Sequence, residues 1–338
     1  MNILYACDDG YAGYTGVSIT SLFENNKDLG EINVYIAGYN ISNENKEKFE
    51  NTARKYSRSI TIIDATPIEN ILKNMPLNNS WNTATYYRIF IDQLIPKSVD
   101  RILYIDSDTL VVGKLHELED YVFDDDKACA MTLEPIYNCY LNMIGLDDGS
   151  LYYTAGVILY DIANWKRLNC NAKLIHAFYE GHGRYFIADQ DIINHTINKN
   201  IQVLNPEYNV MTIWCQLGAK NAIRSRKRGT DETNFYSSEK LTHAIENPVI
   251  LHCINGFLGL PWQKGNKHYF RKEWKYYRNI SQWNDMEEIV FNKTLTFYIQ
   301  IIVDKIVPKF IYARLIEIYR RLDFGKSVKR FYEAEGAE

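Results

Sequence analysis

The stretch RILYIDSDTLVVG, Arg101 to Gly113, places two carboxylates, Asp106 and Asp108, one serine apart inside an apolar run. Neighbouring acids repel each other and resist burial. A structural partner, a catalytic duty or a bound cation has to offset that cost. On an extended backbone residues i and i+2 point to the same side, so both acids can offer hard oxygen ligands to one divalent cation such as Mn2+ or Mg2+. A D-x-D pair also occurs as two exposed turn carboxylates. Its place directly after RILYI, which reads as a strand buried on both faces, favours the cation. An aspartyl phosphohydrolase nucleophile would follow such a strand as D-x-D-x-T. Here Leu110 stands at the threonine place, Thr109 comes one residue early, and no later lysine with an acidic pair completes that constellation.

A second acidic pair, Asp8 and Asp9, lies in YACDDGYAGY after the short apolar run NILYAC. Small residues in this turn let backbone groups approach a ligand closely. Asp8 can accept a hydrogen bond from the imide N–H of a uracil, and Tyr11 can stack on the base. The segment is not G-x-G-x-x-G, so a dinucleotide fingerprint is absent.

The elements that must position these residues alternate. Strand patterns at Asn2–Cys7, Glu31–Gly38, Ser59–Ala65 and Arg101–Ile105 are interleaved with helical spacing over Thr15–Asn26 and over the stretch that opens at Ser42 with acids in its first turn. This predicts an α/β fold with a mostly parallel sheet flanked by helices. Ligands sit beyond the carboxyl ends of such strands, so both acidic pairs face one rim. Further strands are expected in KACAMT and AGVILYD, separated by a tyrosine-rich connection. Helices are expected in NCNAKLIHAFYEGHG, stopping at Gly181, and in ADQDIINHTIN. Arg224–Thr233 reads as a charged surface loop, and NPVILHCINGFLGLPW as a buried strand ending at His252.

At 338 residues the chain is long enough for a full core, and its net charge of −4 gives no reason to expect nucleic acid. Six scattered cysteines without a C-x-x-C fit a reducing compartment. No secretory signal and no spanning apolar segment is visible, so a cytoplasmic protein is expected. From about Trp283 the character changes: apolar residues at helical spacing alternate with Lys305, Lys309, Arg314, Arg320, Arg321, Lys326, Lys329 and Arg330, and Pro308 should split the run. A basic amphipathic segment of this kind reads as lying on an anionic membrane surface, at the inner face of the plasma membrane. Packing against the main domain is the other reading.

Six segments, YACDDGYAGY, TATYYRI, RILYIDSDTLVVGKL, YYTAGVILYDIANW, ADQDIIN and VILHCINGF with a later PW, occur in the order found in family 8 glycosyltransferases, which the chain resembles over about residues 1–270. That family includes bacterial lipopolysaccharide galactosyl- and glucosyltransferases and the glycogenins. The resemblance implies a GT-A fold, a Rossmann-like mixed sheet flanked by helices, over residues 1–282, with 283–338 as a helical appendage. It implies Mn2+-dependent transfer of galactose or glucose from a UDP-sugar to a glycan, glycolipid or glycoprotein hydroxyl, with retention at the anomeric carbon. Asp106, Asp108 and His252 match the metal ligands. Ala6, Asp8 and Tyr11 match uridine-binding positions, and Ser107, Thr154 and Gly256 fall in the donor site. Arg88 matches a residue contacting donor sugar and phosphates, Asp189 one holding sugar hydroxyls, and Gln190 one beside the reacting carbon.

The departures carry information too. Gly10 and Thr154 stand where relatives often have Asn. Leu260 stands just before Pro-Trp, where relatives usually have a lysine that grips the diphosphate, and the segment is two residues longer. Lys264 from a shifted loop, or backbone amides near Gly256 and Gly259, would have to replace it. A non-catalytic partner of another transferase is the alternative reading, which the intact Asp106, Asp108 and His252 oppose.

Overall fold

The computed structural model describes residues 1–318 and 326, except 76, 78–81, 137, 183–184, 226–233, 255–257 and 291–294. Most of the expected charged loop and the basic residues Arg320, Arg321, Lys329 and Arg330 lie outside the described residues.

Four parallel strands form one half of the main sheet in the order β3 (Ser59–Asp64), β2 (Asn33–Tyr39), β1 (Asn2–Asp8) and β4 (Arg101–Ile105). The other half continues with β7 (Tyr153–Asp161), β6 (Cys129–Leu133) and β8 (Ile201–Val203). Only β7 runs against the rest, so the sheet is mixed but mostly parallel. Successive residues of a strand point to opposite faces, and here both faces are covered. Leu4 of β1 and Ile102 and Tyr104 of β4 enter one core, while Ile3, Tyr5, Leu103 and Ile105 enter the other. That is why RILYI lacks polar alternation.

Two helices frame the rim above β1. α1 (Ala12–Asn25) starts three residues earlier than its apolar spacing suggested. The reason is Asp8, whose side chain caps a one-turn 3-10 helix, Asp9–Tyr11, that runs straight into it. α2 (Asn43–Tyr56) is capped by Ser42, which accepts from Asn45 N at 3.3 Å.

The apolar run around the D-x-D does not continue as one strand. β4 stops at Ile105, Asp106–Asp108 form a turn, and β5 (Thr109–Val111) joins a second sheet. There β10 (Ile250–His252) pairs antiparallel with β5 and parallel with β9 (Val210–Met211). The two acids therefore project together because of a turn, not because of extended backbone. After β10 the chain forms β11 (Gln263–Lys264), the helix Arg271–Ile280, and β12 (Ile289–Val290), which pairs with β11.

The helix Leu295–Ile306 ends before Pro308, and a second helical stretch covers 309–318, the split expected of the proline. Phe297, Tyr312 and Ile316 are buried, while Tyr298, Ile302, Ile306, Phe310, Leu315 and Ile318 are exposed. Among the described residues no helix is long and apolar enough to cross a membrane.

Candidate active site

Register brings three distant residues together. His252 pairs with Thr109, the residue after Asp108, and Cys253 N donates to Asp108 O at 2.9 Å. His252 Nε2 then lies 3.2 Å from Asp108 Oδ1 and 3.8 Å from Asp106 Oδ2, and one donor atom from each residue falls within 4.8 Å of the others. Burial pushes the Asp106 carboxyl up; Arg88 opposes this and Asp108 adds to it. Burial would pull the His252 imidazole down, but the Asp108 and Asp106 charges hold it above its usual value. The two carboxylates thus draw positive charge to this point, on the imidazole itself or on a cation that would bind there. Two carboxylates and an imidazole are a donor set that suits Mn2+.

The imidazole is held from behind. Its Nδ1 meets Asn209 Oδ1 at 2.9 Å, and Asn209 Nδ2 reaches Thr132 Oγ1 at 3.0 Å. With Nδ1–H donating to that amide, Nε2 is the nitrogen turned toward the carboxylates. Thr212 Oγ1 donates to His252 O at 3.1 Å and meets His268 Nε2 at 3.0 Å, while Phe270 N donates to His268 Nδ1 at 3.1 Å. His268 is therefore a neutral support for the end of β10, and burial pushes its pKa down to about 4.

A bulge in β7 builds the adjoining wall. The β6–β7 register jumps from Met131↔Ile158 to Thr132↔Thr154, which lifts Ala155–Val157 off β6. Their freed backbone groups serve the site. Gly156 O accepts from Asp106 N at 2.9 Å, Ala155 N donates to Gln190 Oε1 at 3.0 Å, and Ala155 O accepts from Arg88 Nη1. A Cβ at Gly156 would sit 2.3 Å from His252 Cε1 and 3.1 Å from Asp106 Oδ2, so only glycine leaves the cluster intact. Thr154 is buried at the edge of this bulge.

Arg88 comes from the 3-10 helix Thr83–Phe90 and is 3 % exposed. Its Nη2 bonds Asp106 Oδ1 at 2.7 Å, its Nε donates to Thr85 O at 3.0 Å, and its guanidinium lies 4.3 Å from the centre of the Tyr104 ring. All three guanidinium nitrogens are engaged by protein groups. Arg88 thereby holds Asp106, while Nη1 and Nη2 each keep a second N–H beyond these bonds. Asp189 Oδ2 is 2.9 Å from Arg88 Nε but has no hydrogen-bond partner, because that N–H points to Thr85. Burial pushes Asp189 up to about 7 despite Arg88. A buried oxygen without a donor is what a sugar hydroxyl would complete.

Asp189 and Gln190 open the helix Ala188–Ile197. Gln190 Nε2 donates to Glu134 Oε2 at 3.0 Å and to Tyr152 OH at 3.2 Å, so its amide is fixed at both ends. Asp191 faces away: Tyr140 OH (2.5 Å) and Ile187 N (2.7 Å) donate to one oxygen and Tyr152 OH (2.7 Å) to the other.

The rim above β1 completes the site. Asp8 Oδ1 accepts from Tyr11 N at 2.9 Å and Oδ2 from Asn82 Nδ2 at 2.9 Å, while the Tyr11 ring is 40 % exposed and meets Tyr14 edge-on. Ser107 Oγ donates to Ala6 O at 3.0 Å, tying the D-x-D turn to β1. A Cβ at Gly10 would make an ordinary 3.4 Å contact with Asp8 Oδ1, so sterics do not exclude the Asn of relatives. Gly256 lies outside the described residues. Lys264 stands exposed on β11 and makes no ion pair with Asp106 or Asp108. Gly156, Asn209, His268 and Glu134 escaped the sequence reading. A glycine inside TAGVILY was a signal for a bulge; the other three had none.

The profile of glycosyl transferase family 8 matches residues 2–264. General stress protein A of Bacillus subtilis is 27% identical over 297 residues, covering 87% of this chain and 98% of that protein. The lipopolysaccharide 1,2-glucosyltransferase of Escherichia coli K12 is 26% identical over 238 residues, covering 69% of each. Among solved structures, the galactosyltransferase LgtC in complex with donor and acceptor sugar analogues superposes with a TM-score of 0.69 at 24% identity, over 83% of this chain and 96% of that one. That likeness shows the GT-A type of fold. Because the match runs from β1 through the D-x-D turn and His252 to β11, the chain belongs to glycosyl transferase family 8.

Proposed function

We propose that this glycosyltransferase moves galactose or glucose from a UDP-sugar to a hydroxyl of a glycan, glycolipid or glycoprotein acceptor, with retention. The observation that carries this reading is the convergence of Asp106, Asp108 and His252 within 4.8 Å. These three would hold Mn2+ or Mg2+, and the bound ion would supply positive charge beside the departing diphosphate. Asp8 accepts from the uracil imide and Tyr11 stacks on the base. Asp189 takes a sugar hydroxyl on Oδ2, which lies beside Arg88 but accepts no hydrogen bond. Gln190 lies beside the anomeric carbon as a fixed amide.

Retention through a covalent intermediate needs a carboxylate nucleophile. Both oxygens of Asp191 already accept hydrogen bonds, and Asp189 is drawn to Arg88. The chain therefore favours front-face attack. The acceptor oxygen bonds to the anomeric carbon on the side UDP leaves, the sugar–phosphate C–O bond breaks with its electron pair staying on UDP, and the acceptor proton passes to the departing phosphate oxygen. Fixed groups poised around such a centre are the main source of stabilisation.

The exposed apolar stripe of the C-terminal helices supports attachment to an anionic membrane surface at the cytoplasmic face. Its described bases contribute little. Lys309 pairs with Asp304 and Arg314 with Glu317, which leaves Lys305 and Lys326 exposed.

Calorimetry with MnCl2 and UDP, followed by hydrolysis of UDP-glucose and UDP-galactose, tests the reading. Retention of neither Mn2+ nor UDP by the wild-type chain would overturn it. Binding without turnover of any UDP-sugar would favour the non-catalytic alternative.

A further inference from the structure

The segment between the helix Arg271–Ile280 and β12 crosses back over the N-terminal half of the molecule and lands behind the donor rim. Trp283 is 3 % exposed and packs, tilted, with its ring centre 4.9 Å from that of Phe49 of α2. It fits α1 because two glycines one turn apart open a trough there. A Cβ at Gly16 would sit 2.0 Å from Trp283 Cζ3, and one at Gly13 would sit 2.6 Å from Met286 Sδ. The indole thus touches helix backbone, an approach only glycine permits.

Its polar edge continues toward the rim. Trp283 Nε1 donates to Asn45 Oδ1 at 2.8 Å, and Asn45 Nδ2 donates to Asp9 Oδ1 at 2.7 Å. The same oxygen accepts from Ser42 N at 2.8 Å. Asp9 sits between Asp8 and the turn that presents Tyr11. The opposite face of α1 is bonded to the D-x-D turn: Thr15 Oγ1 donates to Ser107 Oγ at 2.8 Å, and Ser18 Oγ meets Thr109 Oγ1 at 3.1 Å. A residue beyond the family match, which ends at residue 264, therefore clamps α1 from behind while its indole N–H reaches the turn through one amide.

We propose that Trp283 is a positioning residue which, through Asn45 and Asp9, holds the Asp8–Tyr11 turn in the shape that receives the donor base. This rests on the donor reading above for its consequence, but the holding itself is measurable without ligand. Asn45→Ala removes both relay bonds, and Trp283→Phe keeps a ring in the trough while deleting the N–H. In the free full-length chain, both should speed amide exchange at Gly10 and Tyr11 about tenfold, leaving β4 unchanged. With saturating Mn2+, both should weaken UDP binding about five- to tenfold and leave kcat within about twofold.

Lys48→Ala, a neighbour outside the relay, should do neither. Unchanged exchange at the turn in both variants overturns the proposal, as does acceleration spread equally over β4, which would mean loosened packing alone. A wild-type chain that retains no UDP sinks the donor reading, and the exchange measurement then still decides whether the relay holds the turn.

Discussion

The rim at Asp106 and the helical stretch 295–318 solve opposite problems. At the rim, polar groups are buried: Arg88 is 3 % exposed and Asp189 5 %, and nearly every atom is held by a named partner. In 295–318 apolar groups are exposed: one face carries Phe297, Tyr312 and Ile316 into the core, and the other shows Ile302, Phe310 and Leu315 to solvent. Each region departs from ordinary partition of polar and apolar side chains, in opposite senses. The first is incomplete in charge, the second in apolar cover. The two deficits are why different partners are proposed for them, a divalent cation with its nucleotide and a lipid surface.

The largest way to break the comparison is at the cation. Asp108→Ala removes one of three ligands and leaves the other carboxylate and the imidazole behind. UDP-sugar hydrolysis should fall by ~1,000-fold or more, with Mn2+ binding lost in calorimetry. A drop of only a few-fold would mean that the cluster is not the metal site. Next comes the support behind the imidazole. Asn209→Ala frees Nδ1, and Mn2+ affinity should fall ~10- to 100-fold while the melting temperature drops only a few degrees. Equal Mn2+ affinity in the variant would place the restraint on His252 elsewhere, in Thr212 and His268.

The other region is tested without deleting it, since residues after Trp283 contribute to the core. Ile302→Glu combined with Phe310→Glu alters the exposed face alone. Binding to vesicles rich in anionic lipid should fall about tenfold, while hydrolysis of soluble UDP-sugar stays within about twofold. Undiminished vesicle binding would leave that face to another partner.

The smallest effect is a titration. Burial pushes Asp191 up to about 6 although Tyr140, Ile187 and Tyr152 hydrogen bonds oppose it. Its folded value thus exceeds its unfolded value near ~4. The folded chain binds the extra proton between them, so this residue's contribution is fully present below pH ~4 and is lost as pH rises through about 6. Asp191→Asn removes that slope. The stability gap between variant and wild type should shift by ~1–3 kcal/mol in the variant's favour between pH 4 and 7 in urea titrations. A gap that does not move with pH would show that the folded carboxyl titrates no higher than the unfolded one.

Much of the fold was legible because its signals are local. RILYI and NILYAC have no polar alternation, since both faces of their strands are covered, and Ser42 before an acidic first turn marks the start of α2. Pro308 splits the C-terminal run for the covalent reason that it has no N–H. The D-x-D turn was legible as residues but not as geometry. Asp106 and Asp108 converge through a turn between two sheets, and a strand-to-turn switch of three residues leaves no periodic trace.

The sequence by itself determined the alternation of strands and helices, the acidic rim at the ends of β1 and β4, and the two-faced C-terminal helices, because periodicity and residue type act over a few neighbours. Only the tertiary structure decided that His252 meets the aspartates, that Arg88 is buried to hold Asp106, and that Gly156 must lack a Cβ. It also placed Trp283 behind α1. These outcomes depend on strand register, on a bulge in β7 and on contacts between residues from 18 to 238 positions apart, which no short window of sequence contains.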